Sequence, residues 1–292
     1  MSTLRPVRQY VPAMQATEGA GVTVHRTIGT PSLRHLDPFL MLDHFSSDDP
    51  GQYIAGFPDH PHRGFVTLTY MIDGHMLHED SMGNRGDLRS GGVQWMKAAS
   101  GVIHSEMPQQ NDGLMRGFQL WINLPAREKM SDPEYQNFEP EQIPTVTAGG
   151  ARVRVIAGSY GEAQGPVRDP VTAVQYLDVA LDAGARFVHP VEPAWTGFLY
   201  LFEGALTVGE TALPLHSLAV LGEGDTVSVR AGPEGARFIL AAGRPLNEPI
   251  VQYGPFVMTT PEEIRRAFED YQNDRLVRRR ARVVSEPGAT RP

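Results

Sequence analysis

The chain has 292 residues and a formal charge of −8 at pH 7, with 26 lysines and arginines against 34 aspartates and glutamates. This acidic balance argues against a nucleic-acid-binding surface. The one basic run, Arg275 to Arg282, follows a predicted helix, and we expect it to be a solvated tail. Because the chain has no cysteine, disulfides and thiolate metal sites are excluded, and any metal site must use nitrogen and oxygen. No stretch approaches the roughly 18 apolar residues of a membrane span, so we expect a soluble cytoplasmic protein.

Short strand-like runs recur along the chain, and most are bounded by Gly, Pro, Asp or Asn. In chain order they include PFLMLDHF, FVTLTYMI, GFQLWINL, VQYLDVAL and GFLYLF. The 30 glycines and 24 prolines are spread over the whole sequence, as turns between many short strands would require. The pattern predicts an all-β fold, either a sandwich or a barrel.

One helix is predicted near the end of the chain, over about residues 261 to 274. Thr260 can cap it, Pro261 takes its first position and Glu263 completes a capping box. Its apolar residues share one face, which predicts a helix packed against the body of the protein; they are Ile264, Ala267, Phe268 and Tyr271.

The two halves of the chain carry a similar β unit. TLTYMIDG (67 to 74) and GFLYLFEG (197 to 204) both run from apolar residues into an acidic residue and glycine, and each is followed by a glycine-rich turn. Between about residues 125 and 165 the strand pattern gives way to polar, proline-rich sequence. We therefore expect two tandem domains, covering residues 1 to 145 and 146 to 292.

Two pairs of potential metal ligands share one spacing. In an extended strand, residues i and i+2 face the same side, so His60 and His62 can converge on one point, and His104 and Glu106 repeat the arrangement 42 residues later. Three imidazoles and one carboxylate suit Fe(II), Mn(II), Ni(II), Cu(II) or Zn(II). A six-coordinate ion would keep two positions open, which favours a catalytic over a structural site.

Several segments in the same order resemble the pirin family, a branch of the cupin superfamily. They are HPHRGF (60 to 65), HEDSMGNRG (78 to 86), GGVQWM (91 to 96), GVIHSEMP (101 to 108) and GFQLWINLP (117 to 125), flanked by DPFLMLDHF (37 to 45) and EPIVQYGPFVMTTPEEIRRAF (248 to 268). The resemblance implies two tandem cupin barrels of the jelly-roll type with a short C-terminal helix.

The resemblance also implies a single metal ion, held in the N-terminal domain by His60, His62, His104 and Glu106. We expect Fe(II), with Mn, Ni, Cu, Co or Zn as alternatives. Ordinary cupins take their carboxylate from a position that here holds Val66 or Thr67, so Glu106 must supply it. The C-terminal domain is expected to be a degenerate, metal-free cupin.

For several other residues the sequence leaves two interpretations open. Five apolar residues either form a wall around an aromatic substrate or belong to the plain core, namely Phe45, Trp95, Met96, Phe118 and Trp121. Asp43 and His44 are candidates to orient a ligand histidine, or structural residues. The three-residue spacing of His75 and His78 predicts opposite strand faces and a surface position. Arg63 could attract an anionic substrate or pair with an acidic residue. His189 lies one residue away from the position equivalent to a ligand histidine, so it is predicted to lie on the opposite, outward face of its strand.

Two classes of function follow from the resemblance. The first is a quercetin 2,3-dioxygenase-like oxygenase, which cleaves a flavonol-like substrate with O2 and releases carbon monoxide, with Glu106 accepting the substrate hydroxyl proton. The second is a non-catalytic, iron-dependent redox regulator that binds a protein partner. A sugar-isomerising cupin would share the ligands but not the flanking segments. We expect a monomer that acts on a small aromatic substrate.

Overall fold

The computed structural model describes residues 2–278. Within the C-terminal basic run, Arg275 and Arg278 both lie within ion-pair distance of Asp270. The other arginines of the run, Arg279, Arg280 and Arg282, lie outside the described residues. No helix in the described part of the chain is long and apolar enough to cross a membrane.

Strands make up most of the described chain, and those before residue 145 are β1 (Val7–Pro12), β2 (Met14–Glu18), β3 (Val22–Arg26), β4 (Phe39–Ser47), β5 (Phe57–His62), β6 (Phe65–Asp73), β7 (His75–Asp80), β8 (Arg85–Arg89), β9 (Val93–Lys97), β10 (Val102–Pro108), β11 (Met115–Asn123) and β12 (Glu134–Phe138). Short 3-10 helices connect some of them, at Pro50–Gln52, Ala126–Glu128 and Pro140–Gln142.

The later strands are β13 (Thr145–Ala148), β14 (Ala151–Ala157), β15 (Ser159–Tyr160), β16 (Ala163–Gln164), β17 (Val174–Leu181), β18 (Arg186–Pro190), β19 (Thr196–Val208), β20 (Thr211–Leu213), β21 (Ser217–Leu221), β22 (Thr226–Gly243), β23 (Val251–Tyr253) and β24 (Phe256–Met258). One α-helix, α1 (Pro261–Gln272), follows. The predicted all-β class with a C-terminal helix is confirmed.

The strands form two antiparallel β bodies. The first combines a seven-stranded sheet, in the order β12-β9-β6-β11-β4-β3-β2, with a four-stranded sheet, in the order β5-β10-β7-β8. The second is a nine-stranded sheet built along β1-β21-β19-β22-β17-β14-β13, with β18 paired to β22 and β20 paired to β19. We call them the first and second barrels.

The largest apolar core lies between the two barrels. Leu68, Tyr70 and Phe118 of the first barrel share one buried cluster with Tyr176 and Tyr200 of the second. Alternate residues of the same strands face the interior of their own barrel, as the two-residue period of a strand requires. Each central strand of the first barrel is therefore buried on both faces, and only one of those faces can serve a site inside the barrel.

The ends of the chain cross between the barrels. Near the N-terminus, β1 pairs with β21 of the second barrel, with Val11 opposite Leu218. Near the C-terminus, the backbone N–H of Val257 donates to the carbonyl of Arg63 in the first barrel, at 3.0 Å. The domain division at residue 145 stays a prediction. A single boundary along the chain leaves out the exchange of the two ends between the barrels.

The predicted helix is confirmed, and it begins as the capping box requires. Thr260 Oγ1 accepts the backbone N–H of Glu263 at 3.2 Å, and Glu263 Oε2 accepts the N–H of Thr260 at 3.0 Å. The helix ends at Gln272, two residues earlier than predicted, with Asn273 at its cap. Its buried face packs on β24 and Leu276, so it supports the first barrel from outside.

Candidate metal centre

Two neighbouring strands bring the predicted ligands together. In the antiparallel pair of β5 and β10, His104 lies opposite His60 and Val102 lies opposite His62. The register shifts between His104 and Glu106, where the pairing is irregular. His104 and Glu106 are both buried, while the residues on either side of each are partly exposed, so the two face the barrel interior together.

Three histidines of these strands form a compact group. One ring nitrogen from each of His60, His62 and His104 lies within 4.8 Å of the other two. The ring centroids are 4.7 Å apart for His60 and His62, and 4.3 Å apart for His60 and His104. His62 and His104 are almost completely buried, whereas His60 is partly exposed. The group therefore lies inside the barrel and opens to solvent on the side of His60.

The free nitrogens of this group fit a metal ion. His60 Nδ1 lies 2.8 Å from the Pro58 carbonyl and donates to it, which leaves the Nε2 lone pair free. The Nε2 atoms of His62 and His104 are buried and have no hydrogen-bond partner. Burial, reinforced by the neighbouring histidines, lowers the pKa of both rings well below the ordinary value. Neutral imidazoles with unpaired buried nitrogens are the state that metal binding requires.

A hydrogen-bonded chain leads away from His104 on the side opposite its free nitrogen. His104 Nδ1 lies 3.3 Å from Nδ1 of His78, and His78 Nε2 lies 3.5 Å from Asp80 Oδ2. Burial alone would raise the pKa of Asp80, but hydrogen bonds from His78 and Asn84 outweigh it and lower that pKa. An ionised Asp80 makes His78 donate through Nε2 and accept the Nδ1 proton of His104, which leaves His104 Nε2 as the ligand atom.

The surface position predicted for His78 is therefore wrong. His75 and His78 do face opposite sides of β7, but the side of His78 is the barrel interior, because β7 lies between β10 and β8. His78 is 2% exposed and stacks on Tyr135 with ring centroids 4.7 Å apart. His75 is partly exposed and contacts Asp87. The two-residue period shows that the faces differ, and only the pairing of β7 with β10 reveals which face is inside.

Glu106 lies beside the histidine group, held by two hydrogen bonds that the sequence did not indicate. Thr69 Oγ1 donates to Glu106 Oε1 at 3.2 Å, and Gln119 Nε2 donates to Oε2 at 2.8 Å. Its carboxylate is outside the group of ligand atoms that the three histidines form. Val66, at the ordinary cupin carboxylate position, faces the core between the barrels. The only signal for Thr69 and Gln119 was their place at interior positions of β6 and β11.

A cavity of about 600 Å³ opens beside the histidines. It is lined by residues of the first barrel and of the C-terminal segment, namely Glu18, Gly19, Ala20, Arg26, Met41, Asp43, Phe57, Pro58, Asp59, His60, His62, Gln119, Trp121, Gln252, Gly254 and Pro255. The Trp121 ring meets the edge of His62 at 5.1 Å, and its Nε1 donates to Gln119 Oε1 at 3.1 Å. This volume falls within the range of small-molecule sites.

Most of the predicted pocket residues lie elsewhere. Trp121 lines the cavity, and Phe45 lines a smaller space beside Glu106. Trp95 and Phe118 belong to the core between the barrels, and Met96 packs in a separate cluster inside the first barrel. Trp95 and Phe118 alternate with interior residues on their strands, so they face away from the histidines. Apolar character alone did not distinguish the two faces.

The two residues proposed to orient a ligand histidine have other partners. Asp43 lines the cavity, but both of its oxygens accept hydrogen bonds from Arg26, at 2.7 and 2.6 Å. Burial raises the pKa of Asp43 despite this contact. His44 faces the second barrel, where its Nδ1 lies 3.1 Å from the Tyr200 hydroxyl. Next to the ligands, Arg63 pairs with Asp270 of α1 at 2.9 Å, so it is engaged in the structure rather than directed at the cavity.

The second barrel has one histidine on its interior face. His189 is buried and its Nε2 lies 3.1 Å from Gln175 Oε1, so the outward orientation predicted for it is wrong. It alternates on β18 with the exposed Val188 and Pro190. Burial lowers the pKa of His189 to about 4. Within residues 2–278, His189 belongs to no group of three metal-ligating side chains.

Comparison with known families identifies both halves of the chain. The model of the Pirin family matches residues 21–122, and that of the Pirin C-terminal cupin domain matches residues 176–277. The chain belongs to the pirin family. The expectation of two tandem cupin domains is thereby confirmed.

Similar pirins and related proteins are known from several organisms. A protein of Pseudomonas aeruginosa named "Putative quercetin 2,3-dioxygenase" is 50% identical over 94% of this chain and 98% of its own length. Human pirin is 43% identical, over 94% of each chain. A crystal structure of quercetin 2,3-dioxygenase from Acinetobacter baumannii is 33% identical with a TM-score of 0.88, covering 96% of this chain and 100% of that chain.

Proposed function

We propose that this pirin is a mononuclear, metal-dependent dioxygenase that cleaves a flavonol-like substrate with O2 and releases carbon monoxide. The single observation that carries the proposal is the histidine group of His60, His62 and His104, with two unpaired buried Nε2 atoms, beside a cavity of about 600 Å³. The relatives named as quercetin 2,3-dioxygenases support the choice of reaction.

In this proposal four side chains hold the ion. The three histidines supply neutral nitrogen, and Glu106, two residues after His104 on the same face of β10, supplies an anionic oxygen. This set suits Fe(II), our preferred ion, and also Mn, Co, Ni, Cu or Zn. When bound, the ion would act as a Lewis acid and as a template that orients the substrate.

The cavity supplies the substrate contacts. Trp121, Met41 and Phe57 offer apolar surface for the flat rings of a flavonol, and Gln252 and the Arg26–Asp43 pair provide polar groups at the same cavity. Arg26 lies within ion-pair distance of both Asp43 and Glu18, so these polar groups of the wall are held in place by one another. A polyphenol, which is planar, apolar on its faces and hydroxylated at its edges, matches this lining.

Glu106 is also the proposed base. Glu106 is 2% exposed, and hydrogen bonds from Thr69 and Gln119 hold its carboxylate in place. In the reaction, a Glu106 oxygen accepts the proton of the substrate hydroxyl, and the electron-rich flavonol anion that remains is the species that reacts with O2. The buried position of Glu106 keeps bulk water from competing for that proton.

The test follows flavonol absorbance, O2 uptake and carbon monoxide release with protein loaded anaerobically with Fe(II). We expect one carbon monoxide per O2 consumed. His62→Ala should lose both turnover and the ion of this centre, because it removes a buried ligand. His75→Ala is the matched control, since His75 lies on β7 outside the group, and it should retain both.

Glu106→Gln tests the role of Glu106 as a base without disturbing the fold. The amide keeps the shape of the side chain and can still accept from Gln119 and donate to Thr69, so we expect a stable protein. Its turnover should fall by about 10²-fold or more, the usual contribution of a general base. Unchanged turnover would remove Glu106 from the mechanism.

The alternative is the redox regulator, in which oxidation of iron changes the charge of the centre by one unit and a protein partner responds. If the iron-loaded protein binds its metal through the histidines yet consumes no O2 with several flavonols, the dioxygenase proposal fails while the metal site stands. The cytoplasmic location and the monomeric state stay predictions from the sequence.

A further inference from the structure

A second histidine group lies between the two barrels. His25 of β3, His44 of β4 and His216, just before β21, each offer one ring nitrogen within 4.8 Å of the other two. The group is on the opposite side of β4 from the cavity, because Asp43 lines that cavity and His44, the next residue, faces the second barrel. It is therefore separate from the centre formed by His60, His62 and His104.

Each ring in this group has a buried nitrogen without a partner. These atoms are Nδ1 of His25, Nε2 of His44 and Nδ1 of His216. His44 is 1% exposed, and the hydroxyl of Tyr200 lies 3.1 Å from its other nitrogen. If His44 Nδ1–H donates to Tyr200, Nε2 keeps its lone pair and is free to bind a metal ion. Three unpaired polar atoms in one buried place are costly unless something binds them.

The backbone holds these rings together from both barrels. His25 and His44 are cross-strand partners in the pairing of β3 and β4. His216 has a φ of 54°, a left-handed conformation that is uncommon for a residue other than glycine. Its N–H donates to Leu201 of the second barrel at 2.9 Å, and its carbonyl accepts from Ala13, which connects the barrels, at 3.0 Å. A less common backbone conformation thus presents the third ring to the group.

Packing alone does not account for the arrangement. The rings of His25 and His216 are stacked, with centroids 4.7 Å apart, and the ring of His44 stacks on Phe118 at the same distance. Apolar rings would fill this space without unpaired nitrogens. Burial lowers the pKa of His44 well below its usual value, and the adjacent His216 and His25 lower it further. An imidazole nitrogen that carries no proton is a metal ligand.

We infer that His25, His44 and His216 form a second metal site, which takes a divalent late first-row ion such as Zn²⁺ and joins the two barrels. Three imidazoles without a carboxylate suit Zn²⁺, Ni²⁺ or Cu²⁺, with water as the remaining ligand. Metal–nitrogen bonds of about 2.1 Å in a tetrahedron place the nitrogens about 3.4 Å apart, so nitrogens that lie within 4.8 Å of one another must close by at most about 1.4 Å. The rings of His25 and His216 are stacked in this structure, so both must also turn for their lone pairs to meet at one ion.

The experiment measures metal stoichiometry on the full chain. Metal-free protein is titrated with Zn²⁺ by calorimetry and with Co²⁺ by its visible absorption, and bound metal is counted after gel filtration. We expect two ions per wild-type chain. His62→Ala, which disables the first centre, should retain one ion, and Zn²⁺ should raise its melting temperature.

Two substitutions then remove the second site. In the His62→Ala background, His216→Asn and His25→Gln should each lose the remaining ion, and in the wild-type background each should leave a single ion. Asparagine tolerates the left-handed conformation at position 216, so this variant tests the ring and not the backbone. His75→Asn is the control and should change nothing.

A wild-type chain that binds a single ion, with full retention of that ion in both His216→Asn and His25→Gln, would overturn the inference. So would a His62→Ala chain that is folded by circular dichroism and binds no Zn²⁺. Either result would identify the group as packing between the barrels. Both outcomes are independent of whether the first centre turns over a flavonol.

Discussion

Replacing His78 by phenylalanine tests the role of the hydrogen-bonded chain behind the first metal centre. Phenylalanine keeps an aromatic ring that can stack on Tyr135, whose ring centroid is 4.7 Å away, and it is only moderately larger than histidine. It removes the acceptor for the Nδ1 proton of His104 and the donor to Asp80. The change therefore leaves the packing in place and removes the interaction that selects His104 Nε2 as ligand atom.

The distances set the expected size of the effect. Loss of a partner behind a ligand histidine typically lowers metal affinity about 10- to 100-fold. Here both contacts are long, at 3.3 Å to His104 and 3.5 Å to Asp80, so we expect the lower end of that range. A loss of about tenfold corresponds to about 1.4 kcal/mol, which agrees with the net contribution of one hydrogen bond.

Competition with a chelator measures the affinity of the first centre for Fe(II). We expect His78→Phe to bind about tenfold more weakly and Asp80→Asn to fall between that variant and the wild type, because the amide oxygen can still accept the backbone N–H groups of Met82 and Asn84. His75→Phe, on the same strand, is the control. Wild-type affinity in a folded His78→Phe protein would refute the proposed positioning of His104.

Two further predictions concern the cavity and its support. Trp121→Leu should raise the KM for a flavonol about 5- to 10-fold with a smaller change in kcat, because it removes aromatic contact worth about 1 kcal/mol; an unchanged KM in steady-state assays would mean that the substrate does not lie on Trp121. Asp270→Asn should lower the free energy of unfolding by about 2 kcal/mol at pH 7, measured in urea, because it leaves the buried Arg63 unpaired while Asp270 itself is partly exposed. Burial would raise the pKa of Asp270, but the contact with Arg63 outweighs burial and lowers that pKa. The ion pair therefore stabilises the fold above about pH 4, and this stabilisation is lost as the pH falls further and Asp270 is protonated. The difference in unfolding free energy between Asp270→Asn and the wild type should shrink below that pH.

Local rules were sufficient for much of the fold. The capping box of Thr260 and Glu263 predicted the start of α1, and the short bounded runs predicted strands. The two-residue period predicted that His60 and His62 share one face and meet His104, and the three rings do form one group. These features depend on a few neighbouring residues, which is why the sequence alone reveals them.

Features that depend on strand pairing were not predictable. His78 and His189 proved to be interior, because the period of a strand shows that two faces differ but not which one is buried. For Trp95 and Phe118 the sequence left open a place in the pocket wall or in the plain core, and both lie in the core between the barrels. A strand buried on both faces carries no polar alternation that would mark the side of the cavity.

The exchange of the chain ends was likewise invisible in the sequence. Nothing in VRQYVP indicates that β1 completes the sheet of the second barrel, or that the segment around Gln252 closes the cavity of the first. The group of His25, His44 and His216 has the same origin, since its members come from both barrels and share no spacing.

Anomalous diffraction from crystals grown with Fe(II), recorded on both sides of the iron edge, would locate the ion of the first centre directly. We expect an iron peak inside the first barrel, about 2.1 Å from the Nε2 atoms of His60, His62 and His104, with Glu106 as the anionic ligand. An iron-loaded crystal with no peak between these three rings, or with the ion bound by other residues, would contradict the proposed metal centre.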